Sequence, residues 1–387
     1  MRDDRDDGRH ASRRRVLSTA ATGTAAALAG CTFPGGDGGG VSVPPLARFR
    51  GSGSLVSGRP APGGTEISEL PDLEGELNVY VGGGEGGLYL QFIDLLEEIY
   101  PDFEVAHKTA DSASLAQTLV EEVEAGAPQA DVFWSVDAGA LGYVTDADAY
   151  RPLPSEVVEP VPGNFVGSDR AWVGVAGRAR SVPYNSDRLS ASDVPGTVAE
   201  FPAAGPLQDA MAWAPTYGAF KSFVTAMRLL RGPEETRGWL REMQSGAVTD
   251  SYPNEYLVSQ AVADGEVAAG FANHYYALRV KNVRPDAPLE LAFTNGDAGA
   301  LVNVAGALTV KGTRRADLAA TFVRHLLSAE AQEYFATVAF AYPMIRGVAP
   351  VGDLPPVEEL NPPELDLSEL SNLEPTIELM REAGVLG

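Results

Sequence analysis

Lysine is nearly absent from this chain of 387 residues, which contains only Lys108, Lys221, Lys281 and Lys311. The 53 acidic residues outnumber the 29 basic ones, and the formal net charge is −24. Such an acidic excess argues against a nucleic-acid partner and for a heavily hydrated surface. Because concentrated salt screens charge repulsion over short distances, we interpret the composition as an adaptation to very high salt. An ordinary acidic protein is the alternative.

Cysteine occurs once, at Cys31, so an intramolecular disulfide is excluded. The stretch before it is rich in Ala, Thr and Gly and lacks the long apolar run of a permanent membrane span. Residues 12–17, SRRRVL, resemble a twin-arginine export signal, and residues 28–31, LAGC, resemble a lipobox. We therefore predict a signal peptide over residues 1–30 and a lipid on Cys31 that anchors the exported protein to the outer face of the cytoplasmic membrane. A buried free cysteine is the alternative.

The remaining chain divides by composition into a linker and a globular body. Residues 31–75 are rich in glycine, proline and serine without an apolar period, which predicts a flexible tether. From ELNVYV onward, strand-like and helix-like segments alternate, which predicts an α/β fold with mostly parallel strands. Their order favours two lobes, one of residues 76–181 plus 294–387 and one of residues 182–293, with the ligand cleft between them.

The first predicted helix, LYLQFIDLLEEIY, shows helical spacing of apolar residues. Just before it, VGGGEGGLY contains Gly82-x-Gly84-x-x-Gly87, a spacing typical of dinucleotide binding. No acidic residue ends the second strand, however, and an exported protein lies outside the cytoplasmic NAD pool. The same turn suits any ligand that approaches backbone N–H groups at a helix start. The apolar face of the helix should comprise Leu88, Phe92, Leu95, Leu96 and Tyr100.

Two adjacent tyrosines, Tyr275 and Tyr276, occur in GFANHYYALR, where a short strand gives way to a helix. Phenolate is among the strongest protein ligands for a hard, highly charged cation such as Fe(III). A bound cation lowers the pKa of a coordinating phenol, so that binding releases protons. Neighbouring residues of a strand face opposite ways, whereas two tyrosines on a strand-to-helix turn can both reach one metal. The dipeptide alone favours packing, with one ring buried and the other on the surface.

Several stretches together resemble the ferric-ion-binding proteins of ABC iron importers, over about residue 77 to the C-terminus. The resemblance implies a two-lobed fold like that of type II periplasmic binding proteins, each lobe a mixed sheet flanked by helices, with two crossover strands. It further implies a monomeric, non-enzymatic receptor that binds Fe(III) and delivers the metal to an ABC permease. The stretches are ADVFWSVDAGALG, WVGVAGRARSVPYNSDRL, WAPTYGAF, GFANHYYALR, GDAGALVNVAGA and LSAEAQEYFA.

The resemblance also implies which residues form the site. Tyr275 and Tyr276 match the metal-binding tyrosine pair of the family, and Tyr217 stands where a third phenolate occurs in a tyrosine-rich branch; a packing role is the alternative for Tyr217. Arg178 matches an arginine that holds carbonate in some relatives, with an inter-lobe salt bridge as the alternative. The other candidates for binding a synergistic anion, carbonate or another, are Gly218, Ala219, Asn254 and Asn273.

The chain departs from the family at two ligand positions. Gly84 and Val136 stand where some relatives have a histidine and a glutamate ligand, so tyrosines with an exogenous anion or water must complete the coordination. Asp137 and Glu85 are additional candidates near the metal, and we expect His274 behind the tyrosine pair without a bond to the metal.

Two other functions stay open from the residues. The same scaffold could bind another small anionic ligand, such as a phosphorylated or carboxylate compound, because two of the family's metal ligands are missing. An exported enzyme is the more distant alternative, since no Ser/His/Asp order, no HExxH and no cysteine nucleophile supports it.

Overall fold

A computed structural model describes residues 41–83, 87–352 and 354–386. The predicted signal peptide, Cys31 and residues 31–40 of the predicted tether lie outside the described residues. Within these ranges, no helix combines the length and the apolar character that crossing a membrane requires.

Strands and helices alternate along the body, as the sequence predicts, and the strands of the described ranges join into one mixed hydrogen-bonded network. The strands are β1 (Gly75–Gly82), β2 (Phe103–Ala110), β3 (Val132–Ser135), β4 (Tyr150–Arg151), β5 (Val173–Asn185), β6 (Met211–Trp213), β7 (Val248–Ser251), β8 (Ala269–Gly270), β9 (Ala272–Asn273), β10 (Leu289–Ala292), β11 (Val302–Val310) and β12 (Tyr342–Pro343). The helices are α1 (Leu88–Ile99), α2 (Ser112–Glu124), α3 (Ala138–Asp146), α4 (Ser155–Val158), α5 (Gly218–Arg231), α6 (Pro233–Glu242), α7 (Glu255–Ala263), α8 (His274–Val283), α9 (Ala316–His325), α10 (Ala329–Thr337) and α11 (Glu374–Glu382).

The long strand β5 connects two groups of strands. Up to Ala179 it pairs antiparallel with β11, which continues through β3 and β1 to β2; we call these strands the first group. Residues 182–185 pair with β10, and Tyr184 also pairs with β8, which continues to β6 and β7, the second group. The partners of β5 therefore change around Arg180 and Ser181, beside the lobe boundary that the sequence predicts.

Helix α1 buries a stripe that differs from the predicted one. Leu88 and Leu95 are only half-buried, whereas the predicted Phe92, Leu96 and Tyr100 are buried. The additional buried residues are Tyr89, Ile93 and Ile99. The Tyr89 ring stacks on Trp134 of β3, with centroids 4.2 Å apart and planes 13° apart. This tertiary contact, which helical spacing alone does not reveal, rotates the buried face of the helix.

The prediction of a flexible tether is wrong for residues 41–75, because this segment packs on the body. Phe49 and Ile67 are fully buried. Arg50 Nε donates to Glu333 Oε1 at 2.7 Å, and Arg59 Nη2 donates to Glu333 Oε2 at 3.1 Å. Backbone bonds add to this attachment, among them Gly63 N–H to the Gly347 carbonyl at 2.8 Å. Buried apolar side chains and a shared carboxylate thus fix a segment whose composition is that of a linker.

We expect Glu333→Gln to lower the free energy of unfolding by about 3 to 5 kcal/mol, because the buried Arg59 guanidinium then lacks its counter-charge. The matched control is Glu98→Gln, which breaks an ion pair with Arg48 whose side chains are both 54% exposed; it should cost about 0 to 1 kcal/mol. Urea unfolding of both variants measures the difference, and equal losses would contradict this role of Glu333.

Candidate functional site

A cavity of about 570 Å³ is lined by residues of β5, β9 and β11 and of helices that follow strands of both groups. Side chains of α2, α3, α5 and α8 reach it, together with residues of β5 and β11 and a stretch near the C-terminus. Among the described wall residues, Asp137 is the only acidic one, whereas Arg178, Arg180 and Arg279 are basic. In a chain with a net charge of −24, this wall composition favours a ligand that carries anionic oxygens.

Three of the four tyrosines on the described cavity wall lie together, whereas the fourth, Tyr143 of α3, is 46% exposed. Tyr275 and Tyr276 lie in the first turn of α8, directly after the strand residue Asn273, and Tyr217 immediately precedes α5. The Tyr217 and Tyr276 hydroxyls are hydrogen-bonded to each other. The rings of Tyr275 and Tyr276 lie 4.3 Å apart between centroids, with 48° between their planes. The helical turn therefore directs both adjacent rings to the same cavity that Tyr217 also lines.

Burial decides the protonation of Tyr276. Loss of solvent raises the pKa of its hydroxyl, and the neighbouring phenols of Tyr275 and Tyr217 raise this pKa further. Without a bound cation the hydroxyl therefore stays protonated at neutral pH. The Arg279 guanidinium, one turn farther along α8, lies 4.9 Å from the ring centroid of Tyr275 and 5.7 Å from that of Tyr276. Its positive charge is attracted to both rings.

A buried ion pair holds the start of α8. Arg180 and Glu255, the first residue of α7, form a salt bridge with side chains 3% and 0% exposed. Glu255 Oε2 also accepts the Asn273 backbone N–H at 2.8 Å, and Arg180 Nη1 lies 3.3 Å from Asn273 Oδ1. Because Asn273 immediately precedes α8, which carries Tyr275 and Tyr276, this network fixes where α8 begins.

Arg180 also offers a donor to the cavity. Its Nη2 has no hydrogen-bond partner within the described residues, although it is buried, and Arg180 lines the cavity. The sequence-based candidates do not include Arg180 or Glu255. Arg180 is the second arginine of AGRAR, so the sequence shows a second positive charge beside Arg178. Only the folded chain shows its partner Glu255, which is 75 residues away in sequence.

The predicted anion-binding residues divide into two sets. Arg178, Gly218, Ala219 and Asn273 line the cavity, and the two small residues form the first turn of α5. Asn254 is not among the wall residues, because its side-chain oxygen accepts the Leu257 backbone N–H at 3.0 Å and caps α7. The structure thus gives Asn254 a capping role that differs from the predicted one.

The three additional candidates also differ in position. Asp137 lines the cavity, and its Oδ1 caps α3 by accepting the Ala140 backbone N–H at 2.9 Å. His274 is buried away from the cavity walls, with Nδ1 at 3.3 Å from the Ala179 carbonyl oxygen. Burial lowers the pKa of His274 to about 4, so its ring is neutral at pH 7. Glu85 lies outside the described residues.

Comparisons with known proteins agree on one class. The profile of the bacterial extracellular solute-binding protein family matches residues 91–360. The major ferric iron-binding protein of Neisseria meningitidis serogroup B is 31% identical over 262 residues, which cover 66% of this chain and 78% of the relative. The Fe(3+)-binding periplasmic protein of Serratia marcescens is 28% identical over 286 residues, covering 73% and 83%. The crystal structure of iron-bound HitA from Pseudomonas aeruginosa superposes with a TM-score of 0.68 at 27% identity, covering 80% of this chain and 99% of that one.

We expect Glu255→Gln to lower the free energy of unfolding by about 3 to 5 kcal/mol, because the buried Arg180 charge then lacks its partner. The double variant Arg180→Met/Glu255→Leu removes both charges and should regain most of that loss. Urea unfolding in concentrated salt measures both. A double variant as unstable as the single one would show that packing, and not charge pairing, is the main contribution of these side chains.

Proposed function

Since the chain belongs to the bacterial extracellular solute-binding proteins and has their two-lobed α/β fold, we propose that it is an exported receptor for Fe(III). The metal binds the phenolate oxygens of Tyr275, Tyr276 and Tyr217 and is delivered to an ABC permease. The observation that carries this proposal is the convergence of three tyrosines on one cavity, two of them joined through their hydroxyls. Relatives named for ferric iron support the same metal.

The chemistry of the site follows from burial. A phenol enclosed with other phenols ionises only when a cation compensates the charge, and Fe(III) is a hard cation that prefers such oxygens. Metal binding is therefore coupled to proton release. Three phenolates balance the three charges of Fe(III), so the arginine-rich wall is left to balance an additional anion.

We assign that synergistic anion to the wall formed by Arg178, Gly218, Ala219 and Asn273, with Arg180 Nη2 as a further donor. A guanidinium binds a planar two-oxygen acceptor such as carbonate well, and the N–H groups at the start of α5 favour negative charge. Asp137, the one carboxylate among the described wall residues, is a further candidate ligand for the metal. A lipid on Cys31 would anchor this receptor to the outer face of the cytoplasmic membrane.

A second candidate function is the binding of a small anionic compound without iron. The three arginines against one aspartate on the described wall favour it. The two functions differ in colour, since only an iron–tyrosinate site absorbs visible light.

We expect the full chain carrying Cys31→Ser, titrated with ferric citrate in concentrated salt, to develop an orange-red tyrosinate-to-iron charge-transfer band. Tyr275→Phe and Tyr276→Phe should each weaken the band, because each removes one phenolate donor. Tyr252→Phe is the control, since Tyr252 lies outside the cavity walls and bonds to Glu266.

Repeating the titration with and without bicarbonate, and with Arg178→Gln, tests the anion. A colourless protein at saturating iron would overturn the proposed function in favour of the anionic compound.

Proton release decides whether Tyr217 is a ligand. If it is, Tyr217→Phe should release about one proton fewer per bound iron than the unsubstituted chain, because one phenol no longer ionises. A pH-stat titration with the same ferric chelate for both proteins measures this difference, and protons taken up by the chelator cancel. Equal release would assign Tyr217 to hydrogen bonding with Tyr276 alone.

A further inference from the structure

The C-terminal chain makes an additional connection between the two strand groups. Residues 364–386, here called the strap, follow the residues 91–360 that the family profile matches. The strap contains a 3₁₀ helix, Leu367–Ser371, and then α11. The 3₁₀ helix lies against α3, which follows β3 of the first group, and α11 lies against α5 and α6, which follow β6 of the second group.

The 3₁₀ helix of the strap packs closely against α3 through small residues on both sides. A Cβ added at Gly142 would lie 2.1 Å from Ser368 Cβ, and one added at Gly139 would lie 2.6 Å from Ser371 Cβ. The side-chain bonds found for these serines stay within the strap, from Ser368 Oγ to Asp366 Oδ1 at 2.6 Å and from Ser371 Oγ to the Ser368 carbonyl at 3.0 Å. Within the part of the chain that the structure describes, close packing rather than side-chain hydrogen bonds from these serines to α3 holds this end.

The contact with α5 and α6 is polar. The buried hydroxyls of Thr376 and Thr225 lie 2.9 Å apart, and Arg228 Nε donates to Thr376 Oγ1 at 3.0 Å. Farther along, Arg241 Nη2 donates to the Glu382 carbonyl at 2.8 Å, and Gln244 Nε2, just after α6, donates to the Gly384 carbonyl at 3.0 Å. Breaking the buried bond between Thr376 and Thr225 would leave unsatisfied polar atoms, so this end resists separation more than the contact of small residues with α3 does.

The strap also forms part of the cavity wall. Leu370, Ser371 and Leu373 line the same cavity as Tyr217 and the tyrosine pair. If the 3₁₀ helix separated from α3, this part of the wall would leave, and the cavity would open toward solvent.

We propose that the strap is a latch on the binding site: it stays with α5 and α6 and separates from α3 when the cavity opens. Seating of the 3₁₀ helix on Gly139 and Gly142 then sets how fast bound iron is released, an inference that rests on the proposed function for the identity of the ligand. Differential stability of the latched state in the presence of ligand drives closure.

The test is Gly142→Ala in the full chain carrying Cys31→Ser. The added Cβ meets Ser368, so the latch is displaced; we expect iron release to excess EDTA, followed by loss of the visible band, to accelerate about tenfold, which corresponds to about 1.4 kcal/mol. The band maximum should not move, because the tyrosines are unchanged. Gly238→Ala in α6 is the matched control, since a Cβ there meets nothing within 4 Å. Ser368→Leu adds bulk from the strap side at the residue that Gly142 meets, lies outside the described cavity walls and should act like Gly142→Ala.

A distance measurement separates the latch from the metal. With Cys31 replaced, the chain has no thiol, so spin labels on Glu121→Cys of α2 and Glu234→Cys of α6 report the spacing of the two groups. Gly142→Ala should add a longer distance even without iron, and Gly238→Ala should not. Unchanged distances and release rates in both Gly142→Ala and Ser368→Leu would overturn the latch. If no protein becomes coloured with iron, the proposed function fails while the distances still decide on the latch.

Discussion

The burial of phenol hydroxyls in one cavity is the constraint on which the site depends. Tyr276 is 9% exposed and touches two other phenols, so burial holds its pKa above the ordinary value. Ionisation there requires a compensating positive charge, which makes a cation and the phenolates mutually dependent. The geometry that produces this burial depends in turn on Asn273, whose backbone is tied to the Arg180–Glu255 pair at the start of α8. A buried ion pair outside the predicted site thus positions the helix that carries Tyr275 and Tyr276.

Secondary structure that depends on short stretches of sequence could be predicted, whereas contacts between residues far apart in the sequence could not. The alternation of strands and helices is local, and so is the strand-to-helix turn that carries Tyr275 and Tyr276; both were predicted and both are present. The attachment of residues 41–75 depends on Glu333, nearly at the other end of the chain, so a Gly/Pro-rich composition was misleading. The buried face of α1 differs from the predicted one for a similar reason, because the Tyr89 ring stacks on Trp134 of β3, a residue far along the chain.

Asn254 and Arg180 differ in how much of their role the local sequence reveals. Asn254 precedes the helical stretch EYLVSQAVA, a typical N-cap position, and its capping role could have been predicted. Arg180 could not, since an arginine two residues after Arg178 in a strand points to the same face under period-two alternation, and nothing local distinguishes the two. Only the position of Glu255 shows that one of these arginines is held in a buried ion pair.

Salt affects these interactions unequally, and this bears on the acidic composition. In concentrated salt, which the composition predicts as the working condition, exposed pairs such as Arg48–Glu98 are screened and contribute little. Pairs removed from water, Arg180–Glu255 and Arg59–Glu333, are screened much less. A chain poor in lysine can use arginine for its buried cations, because a planar guanidinium can bond a carboxylate at two atoms, as Arg59 does with Glu333. The scarcity of lysine therefore agrees with the use of arginine at the cavity, where Arg180 forms a buried ion pair.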